Sequence, residues 1–109
     1  MPSTKEYLDF VLEQLSELES VSYRAMMGEY VLYCGGKVIG GVYDDRFLLK
    51  IAPSTLRILD EEGRAPQFDL PYPGAKEQLV ADVDDRALCC RLVREVSGFT
   101  SLFYTLTYD

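Results

Sequence analysis

Between Ser22 and Ile51 the sequence packs four β-favouring runs, at 23–27, 30–34, 38–43 and 46–51, with very short turns between them. Such spacing leaves no room for crossover helices, so the runs are expected to pair in order as an antiparallel meander. Gly35-Gly36 suits a two-residue hairpin turn of the primed kind, which needs positive φ, and Asp44-Asp45 serves a second one less readily. Gly40 and Gly41 lie inside the third run and offer no side chain to pack. They mark a bulge or a close backbone approach, with a helix expected to cross there.

Helical patterns flank the meander. Ser3 and Glu6 have capping-box spacing, and Leu8, Val11, Leu12, Leu15 and Leu18 then recur as one apolar stripe with Tyr7 at its edge. Glu6, Asp9, Glu13 and Glu17 fall on the opposite, wet side. Pro53 opens a two-turn helix through Leu56 and Leu59 that Gly63 ends. Pro66, Pro71 and Pro73 make 64–76 an irregular crossing with a short strand around Phe68, and 78–81 reads as a last edge strand. Asp82 or Asp84 is expected to cap a final helix carrying Leu88, Cys89, Leu92, Val93 and Val96 inward, with Gly98 as its stop. The expectation is one α+β domain over 1–109, ordered α-β-β-β-β-α-β-α, with an antiparallel sheet of about five strands and flanking helices. Its tail, 98–109, is too apolar to float free and is expected to pack on its own sheet or on another subunit.

Composition narrows the function classes. Eighteen acidic against eleven basic residues give a net charge of -7, which repels phosphate backbones, so direct nucleic-acid binding is not expected and a protein partner fits better. No stretch approaches the ~20 apolar residues of a membrane span, and the N-terminus lacks a secretory apolar segment, which places the chain in the cytoplasm. Three cysteines make no disulfide framework. The absence of histidine removes imidazole-based catalysis and the common zinc sites that use it. The pairs Asp44-Asp45 and Asp84-Asp85 are explained by a turn and a helix start, and the glycines form no phosphate loop. No cofactor is expected.

The run Tyr23-Arg24-Ala25-Met26-Met27-Gly28-Glu29-Tyr30-Val31-Leu32-Tyr33, then Gly36-Lys37 and Asp45-Arg46-Phe47-Leu48-Leu49-Lys50, resembles the N-terminal domain of TfoX (Sxy) competence regulators. Met27 and Glu29 depart from that pattern. The resemblance extends over about residues 3 to 97. It implies an antiparallel sheet with flanking helices, similar to the small acidic chaperones of protein secretion, and no enzymatic activity. Full-length regulators carry a second domain and assist transcription activation, whereas this chain stops near the end of the first.

Several residues stand out as candidates for contact. Phe10, off the leucine stripe beside Glu13 and Glu17, fits an interface anchor on an acidic face, although the plainer reading of the same acids is a solvated helix face. Arg24, Arg46 and Lys50 form a cationic strip if the strands register suitably, or else join cross-strand ion pairs with Glu29, Asp44 or Asp45. Cys90 is expected to face outward between Arg86 and Arg94, whose charge would favour the thiolate and make a reactive thiol; the plainer reading is an incidental surface cysteine. These features point to a non-enzymatic regulatory or adaptor domain acting through protein contacts, linked to transcription or competence. The alternative is a small acidic chaperone-like polypeptide binder, a homodimer.

Overall fold

A computed structural model describes residues 3–98. The expected packing of the apolar tail falls on 99–109, outside the described residues. The α+β class and the succession of elements hold: α1 (Lys5–Gln14), β1 (Val21–Met26), β2 (Glu29–Cys34), β3 (Lys37–Tyr43), β4 (Arg46–Leu49), α2 (Pro53–Glu61), β5 (Phe68–Asp69), β6 (Gln78–Val80) and α3 (Arg86–Ser97). The strands form one six-stranded sheet in the order β1-β2-β3-β4-β6-β5, every neighbouring pair antiparallel. The 78–81 run, expected at an edge, is therefore interior: β6 lies between β4 and β5, and the short Phe68 strand takes the edge.

The meander is built on three two-residue turns, at Met27-Gly28, Gly35-Gly36 and Asp44-Asp45, with both residues of each at positive φ. That backbone twists in the same sense as the strands it joins. Between Leu32 and Tyr33 the β2–β3 register shifts by a bulge at Ile39. The two strand glycines do accommodate a close approach, but to neighbouring strands rather than to a helix. A Cβ on Gly40 would lie 2.0 Å from the Leu48 carbonyl oxygen, and one on Gly41 would lie 2.5 Å from the Tyr30 carbonyl oxygen and 2.7 Å from the Tyr43 ring.

All three helices pack on one face of the sheet. Leu8, Val11 and Leu15 from the first, Ile58 and Leu59 from the second, and Leu88, Cys89, Leu92 and Val93 from the third share a single core with Leu32, Ile39, Val42, Phe47, Leu49 and Leu79. Burying side chains of this size contributes about 1.5–3 kcal/mol each before the entropy cost of ordering the chain. Along one transverse row, Tyr23, Leu32, Gly40, Leu49, Leu79 and Phe68 stand side by side across all six strands. Its centre is buried and its two ends are exposed.

The helix termini differ from expectation in instructive ways. Thr4, not Ser3, caps α1, its Oγ1 accepting from the Tyr7 N–H at 3.1 Å. Ser3 is drawn away by more distant partners described below. The helix ends at Gln14 and the chain then turns, so Leu18 packs from a loop. Asp85 rather than Asp82 or Asp84 caps α3, accepting from the Leu88 N–H at 3.1 Å, because Asp82 is held by Arg64 at 2.8 Å and by the Asp84 N–H. Gly98, at φ 71, ends α3 in the left-handed conformation that glycine adopts without strain.

Candidate interaction surface

β1 is an outer strand whose far side meets no other strand among the described residues. Its two-residue turn makes Met26 and Glu29 a hydrogen-bonded pair, and the Gly35 N–H to Ser20 carbonyl bond keeps the same phase at the other end. The main-chain groups of Ser22, Arg24 and Met26 therefore face β2, while those of Val21, Tyr23 and Ala25 face outward. A row of unpaired donors and acceptors along six residues is a template for another strand.

Side chains strengthen that character. Tyr23 is 42% exposed, Met26 51% and Met27 98%. Tyr23 is fixed rather than loose: its ring meets Tyr30 edge-on at 5.8 Å, and the Lys5 ammonium lies 6.0 Å from its centroid. Lys5 in turn pairs with Asp9 at 2.7 Å, a hydrogen bond that holds the lysine pKa above its usual value. Met27 sits at φ 53, a conformation that a side-chain-bearing residue other than Asn or Asp seldom adopts, at the tip of the hairpin.

A partly buried polar knot anchors this tip to the rest of the fold. The Ser3 N–H and hydroxyl both donate to Glu29 Oε1, at 2.9 and 2.7 Å, and Glu29 Oε2 accepts from the Asp44 N–H at 3.1 Å. The Asp45 N–H donates to Ser3 Oγ at 3.1 Å, and Asp45 Oδ1 accepts from the Thr4 N–H at 2.9 Å. One serine and two carboxylates thus tie the start of α1 to both the β1–β2 and β3–β4 turns. Glu29, a departure from the pattern the sequence resembles, is the hub.

The structure separates the residues singled out from sequence. Phe10 is exposed on α1 and Glu13 lies exposed on the same helix. Glu17 lies beyond the helix end, 3.8 Å from Arg94. Arg24 stands on the helix-free face of β1, and Lys50 follows β4, three strands away, beside Ile51, Lys76, Glu77 and Gln78. The cationic strip is not assembled: Arg46 donates to Asp69 at 2.6 Å and to the Leu70 carbonyl, both toward the β5 edge, and to the carbonyl of Tyr43 at the end of β3. Among the described residues Glu29 and Asp45 do not supply its salt bridge, since both are engaged in the knot.

Cys90 requires a correction. It is fully buried, with its Sγ 3.3 Å from the Gln14 carbonyl oxygen at the end of α1. Burial, together with Glu17, pushes its thiol up to about 11, and burial pushes Cys89 up to about 12. The flanking arginines are turned elsewhere, Arg86 to Ser16 and Arg94 to Glu17. An outward, acidified thiol is therefore not what the fold builds, because α1 and its following turn cover the side of α3 that a single helical wheel leaves open.

Sequence reasoning missed Tyr23, Met26 and Met27 as a group. The available signal was a methionine directly before Gly28 between two strands, a position where a turn residue is expected.

Residues 13–95 match the model of the TfoX N-terminal domain. An uncharacterised 12.7 kDa protein from the trpE 5' region of Spirochaeta aurantia is 37% identical over 82 residues, covering 75% of this chain and 68% of that protein. The family assignment suggests a regulatory, competence-related domain rather than a catalytic one. With more than half of its length matched and the expected meander in place, this chain belongs to the TfoX N-terminal domain family.

Proposed function

We propose that this domain is a non-enzymatic regulatory adaptor that works by protein–protein contact, with the outer edge of β1 and the Met26-Met27 tip as its docking surface. The observation that carries the reading is a six-residue edge strand with outward main-chain groups, flanked by exposed Tyr23, Met26 and Met27. Main-chain pairing supplies affinity in such docking and the exposed side chains supply selectivity. A net charge of -7 supports a protein partner over nucleic acid, and the family supports a link to competence or transcription control.

Affinity capture under reducing conditions tests this with three variants. Ala25→Pro removes an outward N–H without touching the β2 ladder, Met27→Asp places a charge at the tip, and Arg57→Ala on α2 serves as the control. Partners captured by the wild type and by Arg57→Ala are expected to be lost from the two β1 variants. Equal capture by all four proteins would overturn the reading.

A further inference from the structure

We propose that the recess beside the end of β4 binds a free α-amino acid with an apolar side chain, holding its carboxylate and its ammonium group at once. The site lies three strands from β1, and neither its argument nor its test depends on the docking edge.

The first observation is an unsatisfied acceptor. Among the described residues Gln78 Oε1 is the one buried side-chain nitrogen or oxygen without a hydrogen-bond partner. Such an atom costs stability, and folded proteins hold few of them. Gln78 opens β6 inside the sheet, with Asp69 of β5 opposite it. On the other side Leu79 pairs with Leu49, so the antiparallel register sets Gln78 beside Lys50. Leu49 and Leu79 belong to the core under the helices, and strand alternation puts Gln78 on the other face. Asp69 offers no donor: its carboxylate already accepts from Arg46 and from the Leu70 N–H.

The second observation is the charge around that acceptor. Lys50, Ile51, Lys76, Glu77 and Gln78 line a recess of about 620 Å³, within the ~300–1,000 Å³ range of small-molecule sites. Acids outnumber bases eighteen to eleven in this chain, and Lys5, Arg46, Arg64, Arg91 and Arg94 each hold a carboxylate. Among the described residues Lys50 and Lys76 hold none, and Glu77 pairs with neither. Two ammonium groups, one carboxylate and one orphaned amide oxygen therefore share a recess without having satisfied one another.

These groups together select a zwitterion. Lys50 and Lys76 suit a carboxylate, to which each can donate a charge-assisted hydrogen bond. Glu77 and Gln78 Oε1 are acceptors, and an ammonium group carries donors for both. Ile51, exposed at the same recess, offers apolar area to a side chain. A bare anion such as inorganic phosphate would leave Gln78 Oε1 poorly served and stand against Glu77, while a simple amine would face two lysines. An α-amino acid bears both charges on one carbon, which matches the crowding of the four polar residues into one recess.

Titration of the full chain with L-leucine, L-valine and L-phenylalanine, followed through its amide NMR signals, tests the site. At least one of these amino acids is expected to shift the Ile51, Glu77 and Gln78 signals saturably, the Gln78 side-chain amide included. Its N-acetyl and carboxamide derivatives, which lack the ammonium or the carboxylate charge, should bind about tenfold more weakly or worse, as should the parent amino acid to Lys76→Ala. Gln78→Leu separates binding from structure. It removes an unsatisfied acceptor, so it should raise the urea midpoint while weakening amino-acid binding by about tenfold; a merely structural defect would move the midpoint alone. The proposal is overturned if none of the three amino acids gives saturable shifts, if inorganic phosphate reproduces them, or if Gln78→Leu binds as the wild type does.

Discussion

At one end of the sheet β5 contributes two residues, Phe68–Asp69, and is followed by Leu70, Pro71 and Pro73; at the other, β1 runs six residues without a proline. Short length, proline and charge are the devices by which proteins close an edge against pairing. The β5 end uses all three, because Arg46 reaches across from β4 to hold both the Asp69 carboxylate and the Leu70 carbonyl. The β1 end uses none: Arg24 makes no ion pair among the described residues, and exposed Tyr23, Met26 and Met27 surround the outward main chain. One domain thus closes one edge and leaves the other able to bind. The contrast supports the proposed docking edge better than any cluster of polar groups does, since the polar groups here are consumed in holding the turns.

The contrast assumes that both edges hang on one rigid centre, and the largest expected effect tests that assumption. Gly40 joins β3 to β2 and β4 where a Cβ would press on the Leu48 carbonyl and the Leu49 Cα, backbone atoms that cannot swing away. Gly40→Ala is expected to cost about 3 kcal/mol or more in urea unfolding, and to loosen both edges together. A stable variant with one edge intact would mean that the edges are independent.

A smaller effect separates the two arginines. Arg46→Ala should speed amide exchange at Phe68 to Leu70 by about tenfold through local opening, while Arg24→Ala should change no described amide measurably. Equal responses at both edges would erase the distinction. Acid tests the β5 end without mutation. The Leu70 N–H and then Arg46 hold the Asp69 carboxyl below the ordinary carboxylate range. A depressed folded pKa means that the stabilisation is present above the unfolded value and lost as pH falls through the folded one. The β5 end should therefore loosen as pH falls through that lowered value, as hydrogen exchange or proton chemical shifts at Phe68 to Leu70 would report.

What was legible in the sequence, and what was not, follows from the range of the interactions. The four meander strands were readable because their periods and the Gly35-Gly36 and Asp44-Asp45 turns are local. The α3 stop at Gly98 and the Pro53 start of α2 were readable for the same reason. Ser3 was misassigned because its hydroxyl answers to Glu29 and Asp45, 26 and 42 residues away, rather than to its own helix. Cys90 was misplaced because what covers it is the end of another helix. The interior position of β6 depends on where β5 inserts, which no local pattern states. The docking edge belongs to this last kind: an edge is a property of the sheet order, so Tyr23 and Met26 carried no mark of it.

Met27 did carry a mark, and it gives the smallest and most discriminating prediction. At φ 53 in a primed turn, asparagine fits better than methionine, since its short polar side chain tolerates the left-handed region. Met27→Asn is expected to raise stability by about 0.5–1 kcal/mol in denaturant unfolding, because it relieves the turn and uncovers nothing: the methionine packs on no neighbour at 98% exposure. The same variant should weaken partner capture at β1. A gain in stability coupled to a loss of binding would show that a residue costly to the turn is kept for contact. If stability rises and binding is untouched, the tip is not part of the docking surface and the main chain of Val21, Tyr23 and Ala25 must carry it alone.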